Sequence, residues 1–174
     1  MTNLLLTGPS GVGKSTLLAE IPSRLPHKTI RGTHSEVVYE GDVRLGWNLH
    51  NYEGEGGVLA HVEIESDYQL GQYGVDMDLF HRIMMPQLQV DATVDLYLID
   101  EVAEIAPWSS RFMDAMDNLL DSDRLVVAIV GMNPRHPYPN EIKARDDVDL
   151  WEVGEDNRDR LLSDVVGWIR RLKQ

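Results

Sequence analysis

The sequence predicts a single α/β domain over residues 1–174: a three-layer sandwich whose mainly parallel sheet carries an antiparallel β-hairpin extension. Three observations carry that expectation. Short unbroken apolar runs at residues 4–6, 96–99 and 125–130 alternate with stretches of helical period, the pattern of buried parallel strands joined by crossover helices. Between residues 43 and 65 the period changes to two, as in half-buried antiparallel strands. The 174 residues hold no linker, repeat or low-complexity tract, which suits one core.

The elements follow in order. The first strand, residues 3–7, is a buried apolar run that stops at Gly8. A helix over 14–24 buries Leu17, Leu18, Ile21 and Leu25, and Pro22 is expected to end or kink it early. Val43, Leu45, Trp47 and Leu49 alternate with Arg44, Gly46, Asn48 and His50. Val58, Ala60, Val62 and Ile64 alternate in the same way with Leu59, His61, Glu63 and Glu65, and the glycine-rich run 52–57 joins the two strands as a hairpin. A helix over 76–88 carries Leu79, Ile83 and Leu88, with Pro86 as its end or kink. The buried strand 96–99 ends in Asp100 and Glu101. Pro107 fits the first turn of a helix reaching about residue 120, with Phe112, Met116, Leu119 and Leu120 inward. A third buried strand at 125–130, a short helix at 140–145 and a last strand at 148–153 follow. The C-terminal helix, 157–173, turns Leu161, Val165, Trp168, Ile169 and Leu172 to one face.

Composition narrows the function. There are no cysteines, which removes disulfides, thiolate metal sites and cysteine nucleophiles and fits a reducing cytoplasm, the expected location. No basic leader opens the chain and no run of about 18 apolar residues occurs, so neither a signal peptide nor a membrane span is expected. The net charge of −13 is uneven: between residues 34 and 80 there are ten acids and one base, Arg44. Such a surface repels phosphate backbones and anionic lipid, so no nucleic acid and no membrane is expected as a partner. An anionic ligand therefore needs a dedicated local pocket.

The sequence contains one. Gly8-Pro9-Ser10-Gly11-Val12-Gly13-Lys14-Ser15 matches the phosphate-binding loop G-x-x-x-x-G-K-[ST] without a gap, with a strand before it and a helix after it. Glycine lets backbone N–H groups point inward and phosphate oxygens approach with no Cβ in the way. The helix start adds unpaired donors and the positive end of its dipole. In this pattern Lys14 brings a point charge to the β- and γ-phosphates and Ser15 offers its hydroxyl to Mg2+. Thr16 stands where the α-phosphate passes, or serves only to start the helix.

The acidic pair after the second parallel strand completes the pattern. Parallel strands end on one sheet edge, so Asp100 can reach the Mg2+ held by Ser15. Glu101 is then placed to orient and deprotonate an attacking water; as the competing role it caps a helix with no chemistry.

With these motifs in place, the chain resembles the small P-loop nucleoside-triphosphatase family whose human member is called cancer-related nucleoside triphosphatase. The likeness runs over nearly the whole length. It rests on residues 8–16, on Arg44-Leu45-Gly46-Trp47, on Leu59-Ala60-His61-Val62 and, most specifically, on Gly71-Gln72-Tyr73-Gly74-Val75-Asp76. Ile99-Asp100-Glu101, Glu141-Ile142-Lys143-Ala144-Arg145 and Glu155-Asp156-Asn157-Arg158 continue it. The resemblance implies a RecA-like P-loop fold and slow, Mg2+-dependent hydrolysis of ATP, GTP and other triphosphates to diphosphate and phosphate, with little base selectivity. Two positions depart from the family: Glu104 stands where a lysine is usual, and Tyr39 where an arginine is. Loss of two positive charges implies hydrolysis slower than in relatives, or dependence on an arginine from a partner the sequence does not identify.

Other residues have two readings each. Arg44 is the candidate for an arginine finger supplied in cis, or else a hairpin salt-bridge partner. His61 and Tyr73 match family positions but suit packing roles, and Asn157 and Arg158 either approach the base or ribose or cap the last helix. Two alternatives to a triphosphatase are a small-molecule or nucleotide kinase, against which the lack of an arginine-rich lid speaks, and a weakly catalytic nucleotide-binding switch.

Overall fold

A computed structural model of the protein describes residues 3–100 and 104–172. The described elements are β1 (Asn3–Thr7), α1 (Lys14–Arg24), β2 (Ile30–Glu40), β3 (Val43–Asn51), β4 (Gly56–His61), β5 (Gln69–Leu70), β6 (Tyr73–Val75) and α2 (Met77–Gln87). They continue with β7 (Leu96–Ile99), α3 (Ser110–Leu120), β8 (Val126–Ile129), α4 (Tyr138–Lys143), β9 (Val148–Glu152) and α5 (Arg158–Arg171). The strands make one sheet in the order β5-β6-β4-β3-β2-β7-β8-β1-β9. From β2 to β9 every neighbouring pair is parallel, and from β2 outward to β5 every pair is antiparallel.

Alternation along the buried strands builds two cores. Leu5, Tyr97, Ile99, Val126 and Ala128 point to the layer formed by α2, α3 and α4. Leu4, Leu6, Leu96, Leu98, Val127 and Ile129 point to α1 and α5 on the other face. Because both faces are covered, these strands are apolar throughout residues 4–6, 96–99 and 126–129, which is why they read as unbroken runs. No described helix is long and apolar enough to cross a membrane.

The expected α/β fold with its antiparallel extension is present, with differences in detail. Pro22 and Pro86 lie inside α1 and α2, each within three residues of the helix end. Proline removes a hydrogen bond to the preceding turn, so it is tolerated where the helix is about to stop. There the chain closes with tighter bonds, Leu25 N–H to Pro22 O at 3.0 Å and Leu88 N–H to Met85 O at 3.3 Å. Pro107 occupies a separate 3-10 turn, Ala106–Trp108. The helix proper starts at Ser110 because the Ser109 hydroxyl accepts from Phe112 N–H. β4 begins and ends earlier than its alternating pattern, since His61 opens a turn in which its Nδ1 accepts from Glu63 N–H.

The extension is larger than a hairpin. β5 and β6 add two short strands, and β2 is an eleven-residue strand with no alternating apolar pattern. β2 does two jobs. Its residues Ile30, Arg31, Gly32 and Thr33 pair in parallel with β7, and from Thr33 to Glu40 it pairs antiparallel with β3. Its two buried positions are Gly32 and Thr33. A Cβ on Gly32 would stand 1.8 Å from the Leu98 carbonyl oxygen, so only glycine lets β2 lie this close to β7.

Candidate active site

The C-terminal ends of β1 and β7 and the middle of β2 meet at one edge of the parallel sheet. β1 runs into the loop at residues 8–13. Gly8 packs so close to the end of β9 that a Cβ would meet Val153 O at 2.3 Å, and Gly11 and Gly13 have φ of +77° and +103°. All three glycines therefore answer a steric or conformational demand of this loop.

Gly13 caps α1 through its backbone, with no side-chain acceptor on the first-turn N–H groups and no acid in that turn. The other long helices differ: Asp76 caps α2, Ser109 caps α3, and α5 has Asp159 in its first turn. The N-terminus of α1 thus keeps donors and positive potential for an anion. Val12 packs into the core beneath the loop, which ties the loop to α1. The Lys14 ammonium donates to Gly8 O at 2.8 Å and Pro9 O at 2.7 Å, which folds it over the loop it would share with phosphate oxygens.

Asp100, at the end of β7, is 3% exposed. Its backbone N–H donates to Thr33 O at 3.2 Å, and the Thr33 hydroxyl donates to Asp100 O at 3.4 Å. Its carboxylate Oδ2 accepts from Ser35 N–H at 3.1 Å and from Ser35 Oγ at 2.8 Å. Ser35 Oγ also lies 3.3 Å from Ser15 Oγ. A serine hydroxyl has one proton, and the carboxylate is the stronger acceptor. Ser35 therefore accepts from Ser15, and a donating hydroxyl keeps its two lone pairs for other partners. One strand residue links the loop serine to the acidic residue.

An aromatic cluster flanks this point. His34 stacks on His50 at 5.5 Å and tilts against Tyr52 at 5.2 Å. Burial, reinforced by His50, holds the His34 imidazole below the usual histidine range, against an opposing pull from Glu36 and Asp100. Burial, together with the negative charge of Asp100, pushes the Tyr52 phenol well above its ordinary value, so it stays a neutral donor. The Tyr52 hydroxyl is buried with no hydrogen-bond partner among the described residues.

The remaining sequence candidates are spread more widely. Glu101 lies outside the described residues. Thr16 is exposed on the first turn of α1 and Ser10 is exposed in the loop. Arg44 pairs in register with Tyr39, and its guanidinium sits over the ring of Trp47 at 4.8 Å and near that of Tyr73 at 5.8 Å. At about 3.3 Å per residue, the Tyr39–Arg44 pair is roughly 13 Å along β2 from Ser35. Arg44 therefore meets aromatic rings of the extension rather than a carboxylate. Tyr73 packs edge-on against Trp47 at 5.3 Å, a packing role. The Asn157 side chain accepts from Gly154 N–H at 2.8 Å and donates to Glu152 O at 2.9 Å, which fixes the turn into α5. Arg158 instead reaches the loop: its Nη1 is 3.5 Å from Val12 O.

Residues 3–166 match the family model described as NTPase. The chain belongs to the NTPase family. The nucleoside-triphosphatase THEP1 of Thermotoga maritima is 30% identical over 168 residues, covering 96% of this chain and 95% of that one. The human cancer-related nucleoside-triphosphatase is 28% identical over 183 residues, covering 97% and 96%. Among solved structures, the crystal structure of THEP1 from Aquifex aeolicus matches with a TM-score of 0.83 at 26% identity, covering 96% of this chain and 98% of that one. The solution structure of the human protein matches with a TM-score of 0.82 at 27% identity, covering 98% of each. This NTPase-family chain thus has the P-loop fold that its first motif implies.

The sequence did not point to Ser35, Thr33, His34 or Tyr52. The available signal was negative: Thr33-His34-Ser35 interrupts every apolar period at a place where a strand must pass beside the one ending in Asp100.

Proposed function

We propose that the protein hydrolyses nucleoside triphosphates, ATP and GTP among them, to diphosphate and phosphate with Mg2+, slowly and with broad base specificity. The observation that carries this reading is the Ser15–Ser35–Asp100 link at the open N-terminus of α1, which sets an anion cradle beside two hard oxygen donors. An all-oxygen donor pair suits Mg2+, and Ser15 and Asp100 would hold it. Bound Mg2+ would neutralise charge on the β- and γ-phosphate oxygens.

In this reading, the loop of residues 8–16 holds the phosphates through its backbone N–H groups, which all but Pro9 possess, and Lys14 leaves the Gly8 and Pro9 carbonyls for the β- and γ-phosphates. Glu101 orients and deprotonates the attacking water. Arg44 serves as a cis arginine only by leaving the Trp47 ring, which favours slow turnover. The cytoplasm, which supplies both triphosphate and Mg2+, is the compartment this reading implies.

Phosphate release from several Mg2+-triphosphates by wild type, Lys14→Ala and Glu101→Gln tests it. Release lost in both variants is expected. Diphosphate formed only with an added acceptor, and without free phosphate, indicates a kinase, and tight binding without turnover indicates a switch; either overturns the proposal.

A further inference from the structure

Lys143, the last residue of α4, reaches the edge where β1, β7 and β8 end. Its ammonium donates to Gly131 O at 3.0 Å and Met132 O at 3.1 Å, just beyond β8. Lys14 is held in the same way one strand over, on the Gly8 and Pro9 carbonyls just beyond β1. The two strands are neighbours: Leu6 lies opposite Ile129, and Val130 N–H donates to Leu6 O at 2.9 Å. Gly8 and Gly131 therefore leave the sheet side by side, at a strand spacing of about 4.8 Å. β7, with Asp100 after its end, flanks β8 on the other side, Ile99 opposite Ala128. Both lysines and Asp100 thus sit on three adjacent strand ends.

Nothing in α4 itself asks for this lysine. Ala144 N–H closes the last turn on Asn140 O and Glu141 O. The helix is fixed by buried Tyr138 and Ile142, and the Tyr138 hydroxyl donates to Asp117 Oδ1 at 2.9 Å. Lys28 has Asp95 as an ion-pair partner, whereas Lys143 has no carboxylate partner among the described residues. Burial holds its ammonium below the usual lysine range, the cost of keeping a cation here without an acid. An ammonium has three donors; two are spent on carbonyls, and the third has no partner among the described residues.

Resting on the triphosphatase reading, we propose that Lys143 is a second catalytic lysine, whose third N–H donates to an oxygen of the γ-phosphate. In that reading Lys14 draws the β- and γ-phosphates to the end of β1, so the terminal phosphate lies beside the end of β8. Water forms the new bond to the γ-phosphorus, Glu101 takes its proton, and the bond to the β–γ bridging oxygen breaks. Negative charge is then spread over the γ-phosphate oxygens and the departing diphosphate. An ammonium already fixed by two carbonyls meets that charge without first being reoriented. The diphosphate product has no γ-phosphate, so Lys143 acts on turnover and leaves product binding alone.

The test separates this role from that of a clip on the loop after β8. Single-turnover phosphate release at saturating Mg2+-ATP and equilibrium binding of Mg2+-ADP are measured on wild type, Lys143→Met, Lys143→Gln and Lys143→Arg, with thermal unfolding of each. Glutamine has two N–H donors for the two carbonyls but no charge and no third donor. Methionine and glutamine should both slow release by roughly 10- to 150-fold, the range of one hydrogen bond to a charged group. Mg2+-ADP binding should stay within about twofold in all variants, and Lys143→Arg, which keeps the charge, should recover most of the rate. Restoration of the rate by glutamine, equal losses in release and in Mg2+-ADP binding, or release unchanged in Lys143→Met would each overturn the assignment. Those outcomes leave the triphosphatase reading standing. A wild type that releases no phosphate from Mg2+-ATP overturns that reading, and the assignment falls with it.

Discussion

Replacing Ser35 by alanine isolates the link between Ser15 and Asp100. The substitution leaves the Ser35 backbone N–H on Asp100 Oδ2 at 3.1 Å and removes the hydroxyl at 2.8 Å. It also takes from Ser15 the acceptor 3.3 Å away that points its proton inward. A hydrogen bond to a charged group contributes about 1.5–3 kcal/mol, and Asp100 is too buried for water to replace the lost donor fully. In a domain of this size each kcal/mol shifts Tm by about 2–4 °C, so a loss near 2 kcal/mol lowers Tm by about 4–8 °C. The proposed Mg2+ site should suffer separately. Removing a group that orients a metal ligand usually weakens affinity by roughly 10- to 100-fold, so half-maximal phosphate release should need that much more Mg2+. Thermal unfolding without nucleotide and Mg2+ titration of turnover at saturating triphosphate measure the two effects. Ser35→Thr, which keeps the hydroxyl, should retain most of both. A Tm change under about 1 °C together with an unchanged Mg2+ requirement would refute the assignment of Ser35 as the linking residue.

Two further outcomes are expected. Gly32→Ala puts a methyl group 1.8 Å from the Leu98 backbone oxygen between β2 and β7, so it should destabilise by more than about 4 kcal/mol and leave little soluble protein. Gly41→Ala, at φ +59° with nothing within 4 Å, should cost only the left-handed penalty of about 1–2 kcal/mol, and comparative urea unfolding checks the contrast. The depressed His34 pKa gives a pH dependence. The unfolded chain takes up this proton near pH 6.5 and the folded chain only at lower pH, so the His34 contribution to stability is complete above about 6.5 and declines as pH falls below it. His34→Asn should flatten Tm between pH 7 and pH 5 relative to wild type; identical slopes would remove His34 as the cause.

The parallel half of the fold is legible because burial on both faces makes β7, β8 and the middle of β1, residues 4–6, apolar without a break. The hairpin β3–β4 is legible only in part. Trp47, Leu49 and Ala60 pack into the core beside α2 as the alternation predicts. Leu59, however, is buried beside Ala60 and Val58 is exposed, because the register shift between Trp47 and Asn48 breaks the alternation of β4. β5 and β6 are two and three residues long, too short for any period to show. Their place comes from pairing, with Val75 opposite Ala60 and Gly74 opposite His61.

β2 escaped for a different reason, and that reason concerns the site. A strand that leaves a parallel sheet to join an antiparallel one must cross from a two-sided core to open solvent, so no single hydrophobic period can describe it. At the crossing its buried positions belong to Gly32, which permits close approach to β7, and Thr33, which exchanges backbone and hydroxyl bonds with Asp100. The next residues no longer have a core to fill, and their polar side chains are free to face the loop: His34 against His50 and Tyr52, Ser35 between Ser15 and Asp100. The features that hide β2 from pattern reading are those that make it the third wall of the site. The two motifs that were legible, residues 8–16 and Asp100, are brought to one edge by the parallel sheet, and Ser35 of this strand links them through Ser15.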